Sequence, residues 1–265
     1  MKKVTNKYIY FLSFSLLLIS CGKELTQYDA SIKTPIVESY LKAEDSKLTV
    51  KVYSMESFNE EVTQYSKGIS NLQIYVNDQL LTESATAGTY TLENTSGILN
   101  IGSKCDLRFD YNNQSITATT NIPSKPQDLA MSRYVIEKSS WNFGDTIPEV
   151  ILSWNNTDNS YYQVYIQSLS ESSGSTQAPS FMGGGFGKML MQPIQGSSYT
   201  LGMQDMSFEG NYRCILYKVT KEYAELYERM SSTDLANPVS FVENGFGIFT
   251  AFNSDTIIYK VVYTD

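Results

Sequence analysis

Val150-Ile151-Leu152-Ser153-Trp154, then Asn155-Asn156-Thr157-Asp158-Asn159-Ser160, then Tyr161-Tyr162-Gln163-Val164-Tyr165-Ile166 is the stretch whose reading decides the fold. Its two flanks are rich in β-branched and aromatic side chains, which suit a pleated, half-buried surface. Between them lies turn chemistry, because short Asn, Asp and Ser side chains bond to their own backbone. The middle run is oxygen-rich, yet it lacks the alternating ligands and terminal acid of a Ca²⁺ loop. It is read as a turn between two strands. Trp154 is then the tryptophan expected inside a β-sandwich.

Working outward, strand signals recur at roughly ten-residue spacing. Toward the N-terminus they are Ile36 to Leu41, Leu48 to Tyr53, Leu72 to Val76, Gly88 to Leu92, Cys105 to Tyr111 and Ser115 to Thr120. Asn77-Asp78 and Asn112-Asn113 supply turns. This block, 33–123, is expected to be one β-sandwich. Pro123-Ser124-Lys125-Pro126 opens a linker over 124–129, since two prolines end a strand and stiffen the connection. Residues 130–265 are expected to form a second sandwich, and the Trp154 and Tyr161 strands resemble strands B and C of a fibronectin type III module. Its further strands are Tyr199 to Leu201, Gly210 to Val219, Val239 to Val242, Gly247 to Phe252 and Thr256 to Tyr263. One short helix is expected near Glu222 to Met230, with Tyr223, Leu226, Tyr227 and Met230 on one face. The fold class is therefore all-β, two immunoglobulin- or fibronectin-like sandwiches with one helix in the second.

The first twenty residues carry an address. Lys2, Lys3 and Lys7 precede the apolar stretch Tyr8 to Ile19, then Ser20 and Cys21. That order is a secretory signal peptide over 1–20, ending in a lipobox. The apolar run is shorter than the ~20 residues of a spanning helix. Cys21 is expected to carry lipid, with 21–32 as a tether to a membrane the chain does not cross. Gly22-Lys23-Glu24 resembles the short export signals of Bacteroidetes-type lipoproteins, so an outward-facing place on the outer membrane is expected.

Composition narrows the chemistry. The chain has no histidine and a formal charge of −8, made more acidic by loss of the three signal lysines. Serine–histidine and cysteine–histidine catalysis and histidine-held metals are excluded. An acidic surface without a basic stripe excludes nucleic acid as partner. Cys105 alternates with Leu107 and Phe109, and Cys214 with Tyr212 and Leu216, so both read as packed thiols on buried strand faces.

Two segments resemble one family. Thr34-Pro35-Ile36-Val37-Glu38-Ser39-Tyr40-Leu41 is similar to its opening pattern, and Asn237-Pro238-Val239-Ser240-Phe241-Val242-Glu243-Asn244-Gly245-Phe246-Gly247-Ile248-Phe249 to its closing one. The helix with Tyr223 and Tyr227 fits just upstream. The family is the Domain of Unknown Function 4249 group of Bacteroidetes lipoproteins. Phe241-Val242-Glu243 departs from the shorter run the family commonly has there. The resemblance implies a two-part β lipoprotein beside a TonB-dependent outer-membrane receptor, acting as its accessory or ligand-capture partner. It implies no chemistry. In the closing motif, Asn244-Gly245 is expected to supply the positive φ angles of a tight turn, and Gly247 a close backbone approach.

The oddest stretch is Phe181-Met182-Gly183-Gly184-Gly185-Phe186-Gly187-Lys188-Met189-Leu190-Met191, within an inserted Gly/Met-rich loop over about 170–195. A phosphate loop fails, because Met182 and Met189 stand where glycine and a hydroxyl residue are needed. Thioethers suit Cu(I), but without supporting ligands no metal is assigned. Phe181, Met182, Phe186, Met189 and Met191 are candidate partner contacts, since exposed Met and Phe repack against partners. The competing reading is a hydrophobic insertion folded over the second sandwich. Trp141 and Phe143, with Tyr161, Tyr162 and Tyr165, are candidate stacking residues for a glycan or small-molecule ligand. A third role, adhesin or assembly subunit, would use Thr256 to Tyr263 as an exposed edge. The carboxylates are scattered and form no readable pair. No catalytic residue, cofactor or enzymatic activity is expected.

Overall fold

Residues 34–55, 66–139, 149–169, 188–202, 205, 209–230 and 240–264 are described in the computed structural model. In chain order the first strands are β1 (Pro35–Lys42), β2 (Leu48–Met55), β3 (Ser66–Gly68), β4 (Tyr75–Val76), β5 (Gln79–Leu80) and β6 (Thr82–Glu83). Then come β7 (Thr89–Leu92), β8 (Lys104–Tyr111), β9 (Gln114–Asn121), β10 (Gln127–Met131), β11 (Val135–Ser139) and β12 (Ile151–Asn155). The chain continues with β13 (Tyr161–Ser168), β14 (Lys188–Leu190), β15 (Ser198–Thr200), β16 (Gly210–Val219), α1 (Lys221–Met230) and β17 (Phe246–Thr264). The fold is all-β with one short helix, as the alternation predicts.

Local chemistry accounts for most of these elements. Asn77 and Asp78 have φ of 46° and 63°, and Asn112 and Asn113 have 50° and 61°. Two successive positive φ angles make the turn whose twist suits a hairpin, and the Asn112-Asn113 turn sets β8 against β9 from Tyr111↔Gln114 to Lys104↔Asn121. Helix α1 begins after Thr220, whose Oγ1 accepts from the Tyr223 backbone N–H at 3.3 Å, a hydroxyl cap on an otherwise orphan donor. The expected strand Leu72 to Val76 shrinks to Tyr75–Val76.

A ten-stranded sheet runs in the order β14-β13-β16-β17-β1-β2-β7-β6, with β11 also on β17 and β3 on β2. A four-stranded sheet, β5-β4-β8-β9, and a three-stranded sheet, β10-β12-β15, complete the layers. The first core holds Val37, Val50, Val52, Ile74, Tyr90, Leu107, Phe109 and Ile116. The second holds Leu152, Trp154, Tyr162, Val164, Cys214, Leu216, Tyr259 and Val261. The large sheet thus contributes to both cores, and each smaller sheet to one. Thr34–Asp265 is a single compact unit.

The joint is β17. Two separate strands were expected over its length, and the structure has one strand of 19 residues. Phe249 and Ala251 belong to the first core, and Ile257, Tyr259 and Val261 to the second. All five are odd-numbered, so unbroken alternation puts both cores on one face of β17. Ile248 faces the other way, in a third cluster with Tyr223 and Val219. Along its length β17 pairs with β1 in parallel, Ile36↔Phe246 to Lys42↔Phe252, and with β16 antiparallel, Gly210↔Val261 to Val219↔Phe252. Val242, Phe249 and Ala251 therefore fall in the first core, although the expected partition assigns all of 130–265 to the second sandwich. The physical reason is pairing: β1 needs a neighbour, and the start of β17 supplies it.

Two further expectations change. Thr256 to Tyr263 is not an exposed edge, because β16 flanks residues 252–261 and β11 pairs with Lys260 to Thr264. In the closing motif Asn244 has φ 56° and Gly247 φ 96°, but Gly245 is not in the positive region. Gly245 is instead crowded, since a Cβ there would lie 2.9 Å from Val242 Cγ1 and 3.2 Å from Pro35 O. Gly247 makes the expected close approach, against Val37.

Candidate functional site

A broad, open concavity among the described residues lies where the two halves meet. It has a volume of about 960 Å³ and is walled by the end of β9, the linker, the β12–β13 turn and the start of α1. Its floor is Lys218. Alternation in β16 puts Lys218 on the same face as Tyr212, Cys214 and Leu216, and it is 8% exposed. A charge on a buried face must be paired. Lys218 Nζ donates to Asp158 Oδ2 at 2.6 Å and to Ser124 Oγ at 3.2 Å, and it lies 5.8 Å from the Tyr162 ring centre. The hydrogen bond from Lys218 holds the Asp158 carboxyl below its ordinary range, with a smaller contribution from Ser160.

The linker is fastened here as well. Asn253 Nδ2 donates to Pro123 O at 3.1 Å, and Lys125 pairs with Asp255 at 2.9 Å. Pro123 to Lys125 is therefore tied to β17 and, through Ser124, to Lys218 of β16, which also holds Asp158 of the β12–β13 turn. Asn156, within that turn, donates to Ser160, Gln195 and Gly196 carbonyls and so shapes the groove wall.

The groove presents neutral hydrogen-bonding groups. The side-chain amides of Asn121 and Asn159 and the Tyr161 hydroxyl make no hydrogen bond among the described residues, and all three line it. Its charged members, Lys218, Lys221, Asp158 and Glu222, cancel in formal charge. Lys221 also pairs with Glu225 at 3.3 Å. The arrangement can hold a polar molecule. It sets no nucleophile beside a free base, since its buried amine is closed on its own carboxylate.

The candidates named from sequence have mixed fates. Cys21, Trp141, Phe143, Phe181, Met182 and Phe186 lie outside the described residues. Met189 sits in β14, its backbone opposite Ile166. Met191 is half-buried against the second core, and its Sδ accepts from the Tyr199 hydroxyl at 3.4 Å. Packing therefore engages Met191. Tyr162 and Tyr165 are 1% and 2% exposed, and Tyr161 packs on the third cluster, so these three form no open stacking platform. Cys105 and Cys214 are free, buried thiols in different cores. Burial pushes them up to about 11 and about 12.

Two residues escaped sequence reading. Lys218 was detectable, as a lysine in phase with the buried face of a strand. Asp205 was not. It is 1% exposed, its Oδ2 accepts from Tyr199 and from the Gly202 N–H at 2.9 and 2.7 Å, and its carbonyl accepts from Tyr259 at 2.6 Å. Burial raises its pKa. Among the described residues no three His, Cys, Asp or Glu side chains gather as a metal site, and no helix is long and apolar enough to cross a membrane.

No family model and no curated protein matches the chain. Among solved structures it is similar to the FN1–FN3 domains of chicken CNTN1, at 12% identity over 86% of this chain and 67% of that one, with a TM-score of 0.26. It is also similar to the IG1 and IG2 domains of DIP-gamma, at 10% identity over 88% and 98% and a TM-score of 0.19. The titin domains I67–I69 give 13% identity over 88% and 66% and a TM-score of 0.18. At such scores the fold stands on its own strand register.

Proposed function

We propose that this chain is a lipid-anchored, non-catalytic binding module on the outer face of an outer membrane, working as accessory to a TonB-dependent receptor. The observation that carries the binding role is the junction groove, a polar concavity whose buried amine is neutralised by an exposed carboxylate. Ligand sites favour such junctions, and about 960 Å³ lies within their usual size range. The address rests on Lys2, Lys3, Lys7, the apolar Tyr8 to Ile19 and Cys21. Holding module and receptor in one membrane raises their effective concentration, so a weak contact suffices. The receptor partnership rests on the family resemblance of the Thr34 and Asn237 segments.

Two measurements test this reading. An alkynyl fatty-acid label should enter the wild-type protein and not Cys21→Ser. Cross-linking in native outer membranes should then join the lipidated protein to a receptor barrel. Absence of label in the wild type removes the anchor. Cross-links without any barrel remove the receptor role.

A further inference from the structure

We infer that the junction groove binds an uncharged, hydroxyl-rich ligand, a short neutral oligosaccharide. This rests on the binding-module reading and names its ligand class. The argument is one of elimination and fit. An apolar ligand is disfavoured because the walls are threonines, serines and amides, whereas apolar ligands take hydrophobic linings. An anion would need a free buried cation, but Lys218 is spent on Asp158 and Ser124, and Lys221 is a solvent-exposed side chain that shares Glu225. The first turn of α1 would also favour an anion, yet Glu222 occupies it and lines the groove. A metal cation would need several carboxylates together, but Asp158 is held by Lys218, Glu222 alone is left in the groove, and no three acids gather among the described residues.

Apart from Glu222, what stays open is neutral. Asn121 ends β9 on one wall, and Asn159 and Tyr161 stand on the opposite segment, their polar ends without partners among the described residues. An amide offers a donor pair and an acceptor, which matches the alternating hydroxyls of a sugar ring. The Tyr161 hydroxyl both donates and accepts. These groups sit on a frame fixed by the Lys218, Asn253 and Asn156 bonds, so little ordering is lost on binding.

The test is titration calorimetry of the full lipidated protein in a sugar-free detergent. The probes are hexasaccharides of the malto-, cello-, xylo-, manno- and chito-series, with hexagalacturonate as the charged contrast. At least one neutral hexasaccharide should bind, with an affinity unchanged between about 50 and 500 mM NaCl, as expected without ionic contacts. The double variant Asn121→Ala/Asn159→Gly should weaken it about tenfold or more, as loss of two hydrogen bonds predicts. Glycine is chosen because Asn159 has φ 55°. Tyr161→Phe, which removes one hydroxyl and keeps the packing, should weaken it less. Asn100→Ala, on a different surface pocket, should not. The inference is overturned if no neutral probe binds, if only hexagalacturonate binds, or if the double variant binds as wild type. Cross-linking to a receptor reads out separately, so a lost sugar and a lost receptor are distinguishable.

Discussion

Gly247→Ala should be among the most damaging single methyl additions in this chain. Gly247 has φ 96°, and a Cβ there would lie 3.0 Å from the Val37 carbonyl carbon and closer still to its oxygen. Two costs add. A side chain at positive φ costs about 1–2 kcal/mol. The collision is with backbone, so no rotamer relieves it, and β1 must retreat from β17. Retreat breaks part of the parallel ladder between Ile36 and Lys42, at about 1 kcal/mol per hydrogen bond. Losing two or three bonds gives a total of about 3–5 kcal/mol. Gly97→Ala is the control, because Gly97 has φ 84° with nothing within 4 Å of a Cβ. It should cost only the conformational part, about 1–2 kcal/mol. Urea unfolding followed by circular dichroism measures both. Equal losses in the two variants would refute the reasoning, since the collision with Val37 would then contribute nothing.

Three further outcomes follow from the same structure. Residues 34–126 expressed alone should show no cooperative unfolding transition, because they lack Phe249, Ala251 and the β17 neighbour of β1; a sharp thermal transition would contradict this. Asp205 has a raised pKa in the folded protein, so the folded state binds its proton more tightly and stability falls as pH rises from about 4 through that raised value. Asp205→Asn removes this loss, and its stability relative to wild type should increase with pH across that window in denaturation curves; a constant difference would contradict it. Cys105 and Cys214 should react with a thiol reagent only after unfolding, since both are buried and pushed up to about 11 and about 12; fast labelling of the native protein would contradict their packing.

Local pattern made much of this fold legible. Alternation placed Val150 to Trp154 and Tyr161 to Ile166 as strands, and put Trp154, Cys105 and Cys214 inside. The Asn77-Asp78 and Asn112-Asn113 turns and the amphipathic α1 follow from side-chain chemistry within a few residues. The groove was only partly legible. Lys218 out of keeping with its strand face was visible, but its partners Asp158 and Ser124 lie 60 and 94 residues away.

The sequence by itself determined the class of the longer strands and of α1, because backbone preference and face alternation are properties of near neighbours; the short strands β3, β5, β6, β10, β11 and β14 were not read from it. It also carried the exclusion of histidine chemistry, which needs no structure. The tertiary structure decided how the halves are joined. β1 and β17 stand at opposite ends of the described chain and pair in parallel, and no local signal encodes a neighbour that distant. That pairing makes Gly247 obligatory and carries one strand through both cores, while β13, set between β14 and β16, turns Tyr162 and Tyr165 from candidate platform into packed interior. Burial belongs to the assembled sheet, so it became readable only once the strands had found their partners.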